Sequence, residues 1–167
     1  MTYQSRMNQQ PPHVESEYCI SSNGYMSLIY NKNLRDIYVG ELINGRKYGL
    51  GTMYYDNGIV HICKWKNDKA DGYGICKYPD GSEYIGKWKN NIFHGRRNEI
   101  YYPNGDYYRG EVHSNNIRGT GKMIYRDGTV YIGEFQNGMR HGNGMIIDIN
   151  KDEYYGKFYM NNLVENR

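Results

Sequence analysis

Cysteine is scarce in this chain, with three in 167 residues. An odd number at that length implies no disulfide framework, and a reducing compartment fits it best. Leucine is scarce as well, at five. A leucine-rich repeat builds its core from that residue, so that architecture is excluded. No run approaches the roughly 20 apolar residues of a membrane-spanning helix. Met1 to Gln10, followed by Pro11-Pro12, shows no basic stretch leading into an apolar one, so no signal peptide is predicted. Thr2 excludes N-myristoylation, which needs glycine at that position. A net charge of only +3 argues against nucleic acid as a partner.

What the chain has instead is tyrosine (20) and glycine (21). Tyrosine favours strands, and glycine marks turns or places where backbone and side chain come close. A Tyr-x-Gly-x-hydrophobic cassette, or a near copy, starts at Tyr38, His61, Tyr84, Tyr108, Tyr131 and Tyr154, in steps of 23, 23, 24, 23 and 23 residues. A fixed period of this size is the signature of a repeat protein. Such arrays present extended binding surfaces more often than pockets for chemistry.

Each unit reads as a β-hairpin. In the fifth, Tyr131, Gly133 and Phe135 alternate with Ile132, Glu134 and Gln136, the period of a strand. Asn137-Gly138 follows, a two-residue hairpin signal, and Gly142-x-Gly144 opens a second run. Asn44, Asn67 and Asn90 hold the same offset as Asn137, whereas Asn115 and Asn161 come one place later. Turns such as Asp56-Asn57-Gly58 and Pro79-Asp80-Gly81 separate the units. Hairpins joined this tightly predict an antiparallel meander. The expected fold is therefore all-β, an elongated, twisted, single-layer antiparallel sheet.

Alternation assigns two faces. The first strands place Tyr38/Gly40/Leu42, His61/Cys63/Trp65, Tyr84/Gly86/Trp88, Tyr108/Gly110/Val112, Tyr131/Gly133/Phe135 and Tyr154/Gly156/Phe158 on one side, which we read as the buried ladder. The second strands add Met53/Tyr55, Cys76/Tyr78, Ile100/Tyr102, Met123/Tyr125 and Ile146. The opposite face is charged, with Val39, Ile62, Ile85 and Ile132 as a branched stripe that a partner could cover.

The departures are local. The second unit has His61 for tyrosine and Cys63 for glycine, and the third has Arg97 in the place of the second glycine plus one extra residue, predicting a bulge near 96–98. Residues 1–16 are read as a disordered arm and 17–37 as a capping strand segment that includes the half-unit 24–30. Residues 38–160 hold five repeats and a half-repeat, and 161–167 are a short tail with too few apolar residues for a strand.

The shared unit resembles the MORN (membrane occupation and recognition nexus) repeat. The cleanest matches are Tyr38-Val39-Gly40-Glu41 with Gly49-Leu50-Gly51, and Tyr131-Ile132-Gly133-Glu134-Phe135 with His141-Gly142-Asn143-Gly144. The resemblance implies a non-catalytic scaffold or adaptor that binds a partner protein, often a helical segment. It also implies a place at a cytoskeletal, ciliary or membrane-skeleton assembly on the cytoplasmic side. Family members also carry an association with phosphoinositides, and some are accessory parts of enzymes, which gives two alternatives: an anionic-lipid module and a subunit that positions an enzyme.

No catalytic constellation, metal site or cofactor site is predicted. His94 and His141 share one repeat position, a structural or turn role. Cys63 and Cys76 read as packed thiols, since a zinc site needs more ligands than His61 can add. The basic surplus is uneven: residues 61–97 hold eight basic and four acidic side chains, against five and five before them and eight and nine after. Lys64, Lys66, Lys87, Lys89, Arg96 and Arg97 are therefore the candidate partner-binding residues. The plain reading is a solvated face. The functional reading is a site for an acidic protein segment or an anionic membrane, each basic residue contributing about 1 kcal/mol near such a membrane. The unit at Tyr154 leaves an edge strand whose free hydrogen-bonding groups allow self-association.

Overall fold

The computed structural model describes residues 27–30 and 36–166. The expectation for the arm (1–16) and much of that for the capping segment lie outside these residues, as do His13 and Cys19. Strand β1 (Ser27–Tyr30) precedes six hairpins. These are β2 (Ile37–Ile43) with β3 (Arg46–Tyr54), β4 (Val60–Lys66) with β5 (Lys69–Lys77), and β6 (Glu83–Lys89) with β7 (Ile92–Phe93) and β8 (Gly95–Tyr101). They continue as β9 (Tyr107–His113) with β10 (Asn116–Ile124), β11 (Val130–Gln136) with β12 (Met139–Ile147), and β13 (Glu153–Tyr159) with β14 (Asn162–Asn166). Neighbours in sequence pair antiparallel throughout, giving one open sheet. β7 and β8 both pair with β6, two pieces of one interrupted strand.

The hairpin tips explain the asparagines. Both central residues of every tip have positive φ, from Asn44 (51°) and Gly45 (73°) to Met160 (47°) and Asn161 (71°). Such turns match the right-handed twist of the strands they join. The second tip residue also ties each hairpin to the one before it. Asn91 N donates to Ala70 O at 3.0 Å while its Oδ1 accepts the Ala70 amide at 2.7 Å. Asp68 with Lys47, Asn115 with Phe93 and Asn161 with Arg140 repeat this two-point clamp. At the fifth tip the residue is Gly138, which keeps the backbone bond to Ile117 O at 3.0 Å but has no side-chain oxygen to offer.

In the first, second, fourth and fifth hairpins the second strand has nine residues and the first has seven. Between β2 and β3 the register jumps from Gly40↔Gly51 to Glu41↔Tyr48, so Gly49 and Leu50 have no partner on β2. The same jump recurs in the second, fourth and fifth hairpins. On the side of the sheet away from this bulge, Tyr38 lies over both paired glycines, and a Cβ on Gly40 would stand 2.5 Å from its hydroxyl oxygen. That hydroxyl donates to Glu41 O at 3.2 Å, one of the carbonyls that the bulge disturbs. Tyr84, Tyr108 and Tyr131 do likewise with Lys87, Glu111 and Glu134. Trp65, Phe135 and Phe158 meet the tyrosines edge-on, at centroid distances of 5.7 to 5.0 Å. The ladder is buried from Tyr38 to Phe158 and opens at Tyr154, which is 44% exposed.

Four details differ from expectation. Where a short tail was expected, Asn162–Asn166 form β14 and close a sixth hairpin. Backbone pairing with β13 holds that strand, and Leu163 lies across Gly156, so two apolar residues suffice. Asn98, not Arg97, takes the place of the second glycine, since it pairs with Gly110. The extra residue enters the bulge ahead of it. Tyr55, Tyr78, Tyr102 and Tyr125 stand just past their strands, in the turns, where their amides and carbonyls close the loop. Ile62 and Ile75, on the charged face, are 6% and 2% exposed and pair with each other.

The clamp predicts two opposite substitutions. Asn91→Gly keeps the left-handed turn but removes the oxygen that accepts the Ala70 amide, so it costs about 1 kcal/mol in urea unfolding. Gly138→Asn supplies the missing oxygen at a φ of 77° that asparagine tolerates, and stabilises the array by a similar amount. Unchanged amide exchange at Ala70 in the first variant would contradict the clamp.

Candidate partner-binding surfaces

The aromatic face carries the second repeat's two exceptions, and they compensate. A tyrosine at position 61 would lie over residue 63 and collide with any side chain there, as the sister tyrosines lie over Gly40 and Gly133. The shorter imidazole of His61 leaves room for the Cys63 thiol. His61 packs 3.9 Å from the Trp88 ring and 5.4 Å from Trp65, with Nε2 buried and without a hydrogen-bond partner. Burial, with Lys47 nearby, pulls its pKa down to about 4. The Cys63 and Cys76 thiols are free and buried, and desolvation pushes them up to about 12 and about 11, so both are protonated at neutral pH.

Asn98 is the corresponding exception of the third repeat and is fully buried. Its Oδ1 accepts from the Tyr84 hydroxyl at 2.8 Å and the Lys87 amide at 3.1 Å, and its Nδ2 donates to Gly95 O at 2.6 Å. A polar side chain thus replaces the glycine without leaving an unsatisfied group.

Beside it the aromatic face forms a groove of about 260 Å³, lined by Tyr78, Tyr84, Phe93, Ile100, Tyr102 and Ile117 among others. Phe93 lies against Tyr84 and Trp88, with centroids 3.7 and 4.0 Å away. The floor is apolar, while Asn115 and Ser82 supply polar groups at the rim. The ladder positions were legible in sequence. The groove was not, because it forms where Ile100 and Val112 are smaller than the rings on either side.

All six basic candidates are exposed. Lys64, Lys66, Lys87 and Lys89 come together on the charged face, β4 and β6 being separated by β5 alone. A hollow of about 390 Å³ beside Lys64 and Lys66 is lined by Tyr48, Leu50, Glu41 and Asp71. Arg96 and Arg97 lie in the third repeat's bulge. None of the six has an ion-pair partner among the described residues. Among the described residues no helix is long and apolar enough to cross a membrane, and no group of three or more His, Cys, Asp or Glu could hold a metal ion.

Residues 38–60, 64–83, 84–96, 108–130 and 131–152 match the family model of the MORN repeat. No curated protein matches the chain. Among solved structures, it is similar to the TCP domain of SAS-4 (dCPAP) of Drosophila melanogaster, in complex with a proline-rich motif of Ana2 (dSTIL). The identity is 19% and the TM-score 0.55, over 84% of this chain and 77% of that one. A mutant TCP10 domain of Danio rerio CPAP matches at 16% identity with a TM-score of 0.39, over 84% of this chain and 77% of the other. At these identities the likeness concerns the fold.

Two predictions follow from the His61–Cys63 exchange. His61→Tyr alone overpacks against Cys63 and costs about 2 kcal/mol, whereas His61→Tyr with Cys63→Gly restores the sister geometry and most of that loss. A double-mutant cycle in urea that shows additivity would contradict the compensation. The second concerns acid. Because the folded His61 pKa lies below its ordinary value, its neutral form contributes stability that is complete above about pH 6.5 and is lost as pH falls toward 4. The wild type should lose up to about 3 kcal/mol over that window relative to the double variant.

Proposed function

The chain belongs to the MORN repeat family, and from that premise we propose that it is a non-catalytic scaffold that holds a partner protein on its repeat surface, within a cytoskeletal, ciliary or membrane-skeleton assembly. The observation that carries this reading is the groove at the third repeat. A single-layer sheet has no second sheet to cover its apolar face. Here Tyr78, Phe93, Ile100 and Tyr102 pack against the core yet remain partly exposed. Apolar floors with a few polar groups at the rim are what protein recognition sites offer.

We assign the groove to an extended segment containing proline. Such segments hold a preformed left-handed helix and dock between aromatic rings at small entropic cost. The Tyr78 and Tyr102 side chains both line the groove and supply such rings. The proline-rich motif bound by the Drosophila TCP domain, which shares the fold, supports the same reading.

Decaproline titrated into the intact protein should perturb Trp88 fluorescence saturably, because that ring touches Phe93 at the groove. Tyr78→Ser with Tyr102→Ser should weaken the binding at least tenfold. Absence of saturable binding would sink the extended-segment assignment. Failure of the intact array to retain any stable protein partner from cell lysate would count against the scaffold role itself.

A further inference from the structure

The bulges on the charged face share one local problem, and they solve it in two ways. In the first, second, fourth and fifth hairpins the register jump leaves a backbone amide of the second strand with no register partner on the first. In the fifth repeat that amide belongs to Asn143, which donates to Glu134 Oε1 at 2.9 Å. In the fourth, Thr120 gives its hydroxyl to Glu111 Oε1 at 2.8 Å, and with the Thr120 amide this holds the carboxyl below its usual range. In the first, the Glu41 carboxylate lies over Gly49. A carboxylate of the chain's own therefore sits on the bulge in these three repeats.

The second and third repeats put lysine at that position. The Lys64 stem lies across Gly72, and that of Lys87 over Gly95. The second hairpin jumps from Cys63↔Gly74 to Trp65↔Ala70, so the Tyr73 amide has no partner on β4. Its counterparts Thr120 and Asn143 meet a carboxylate, whereas here the Lys64 side chain lies at the bulge and offers no acceptor. Tyr73 also lies directly opposite Lys87 on β6, so a lysine flanks it on either side. A backbone N–H between two cations is a receptor for an oxyanion, because charge-assisted hydrogen bonds are about twice as strong as neutral ones. Lys66 and Lys89 extend the positive field, with Asp71 and Glu41 as the neighbouring acids. The Tyr73 ring, 52% exposed, adds apolar contact.

We propose that a carboxylate of an acidic partner segment docks on the Tyr73 amide between Lys64 and Lys87, doing from outside what Glu134 does for Asn143 from within. The occupant in the sister repeats is a carboxylate, which favours an aspartate- or glutamate-rich segment over a lipid phosphate. Arg96 and Arg97, exposed on β8 beside β6, add positive charge one strand beyond Lys87. This rests on the protein-binding reading above but uses the other face of the sheet.

The test is fluorescence anisotropy of labelled decaglutamate with the full chain. We expect saturable binding that weakens with salt. Lys64→Glu should weaken it at least tenfold and keep or raise the unfolding midpoint, because the new carboxylate takes the Tyr73 amide as Glu134 takes that of Asn143. Lys64→Gln should also weaken binding, through loss of one cation. Lys157→Glu, the same charge change in the sixth repeat, should leave binding within twofold. The Tyr73 amide resonance should shift on saturation. Equal losses at Lys64 and Lys157, an unaffected Lys64→Glu, or an unmoved Tyr73 amide would each overturn the proposal. So would phosphatidylserine vesicles binding where decaglutamate does not. Decaproline binding in the same samples reports on the groove separately, so the two readings fail independently.

Discussion

Everything in this sheet depends on a tyrosine ring lying flat over two glycines on paired strands. The ring fits only where neither strand carries a Cβ, and its hydroxyl reaches a carbonyl only because the hairpin bulges beside it. The bulge in turn requires extra residues in the second strand, with a glycine free to take positive φ at the bulge itself, as Gly49 (64°) and Gly142 (63°) do. Ring, glycine pair and bulge therefore specify one another, and a unit cannot lose one without adjusting the rest. The second and third repeats show two such adjustments. His61 and Cys63 trade ring length for a side chain, and Asn98 meets the Tyr84 hydroxyl with an amide oxygen where its sisters leave bare backbone.

How much of this could be read from sequence depended on the reach of each interaction. Strand alternation and the Asn-Gly tips are local, and they were legible. The second role of the tip residues was not, because the amide that Asn91 accepts lies 21 residues upstream, at Ala70. Nothing in the local pattern at Asn91 marks the bond. The register of the third repeat was ambiguous for a similar reason. A one-residue insertion can be placed on either side of Arg97, and only pairing with Gly110 selects Asn98. β14 carries little apolar content to mark it in the sequence, and backbone pairing with β13 defines it instead. The burial of Ile75 on a charged face comes from its neighbours on adjacent strands, which alternation alone does not count.

The basic cluster was visible as composition, yet its meaning was not. Along the first strands, three residues after each start, the sequence runs Glu41, Lys64, Lys87, Glu111, Glu134, Lys157. Read as charge, this is a mixed, solvated surface. Set against the bulges, it separates units that place a carboxylate there from units that place a lysine. The signal was in the repeat alignment, but its chemistry required knowing that this side chain and the bulge amide share a face.

The clamps at the hairpin tips reach only the adjoining unit, and the Tyr-over-glycine contacts stay within their own. Nothing in the architecture fixes how many units there must be. Each unit adds two strands, about 10 Å of breadth, and the thirteen consecutive strands here span roughly 60 Å. Length is thus adjustable in steps without redesigning any joint. An array built this way is a ruler, and it can set the separation between whatever is attached at its two ends.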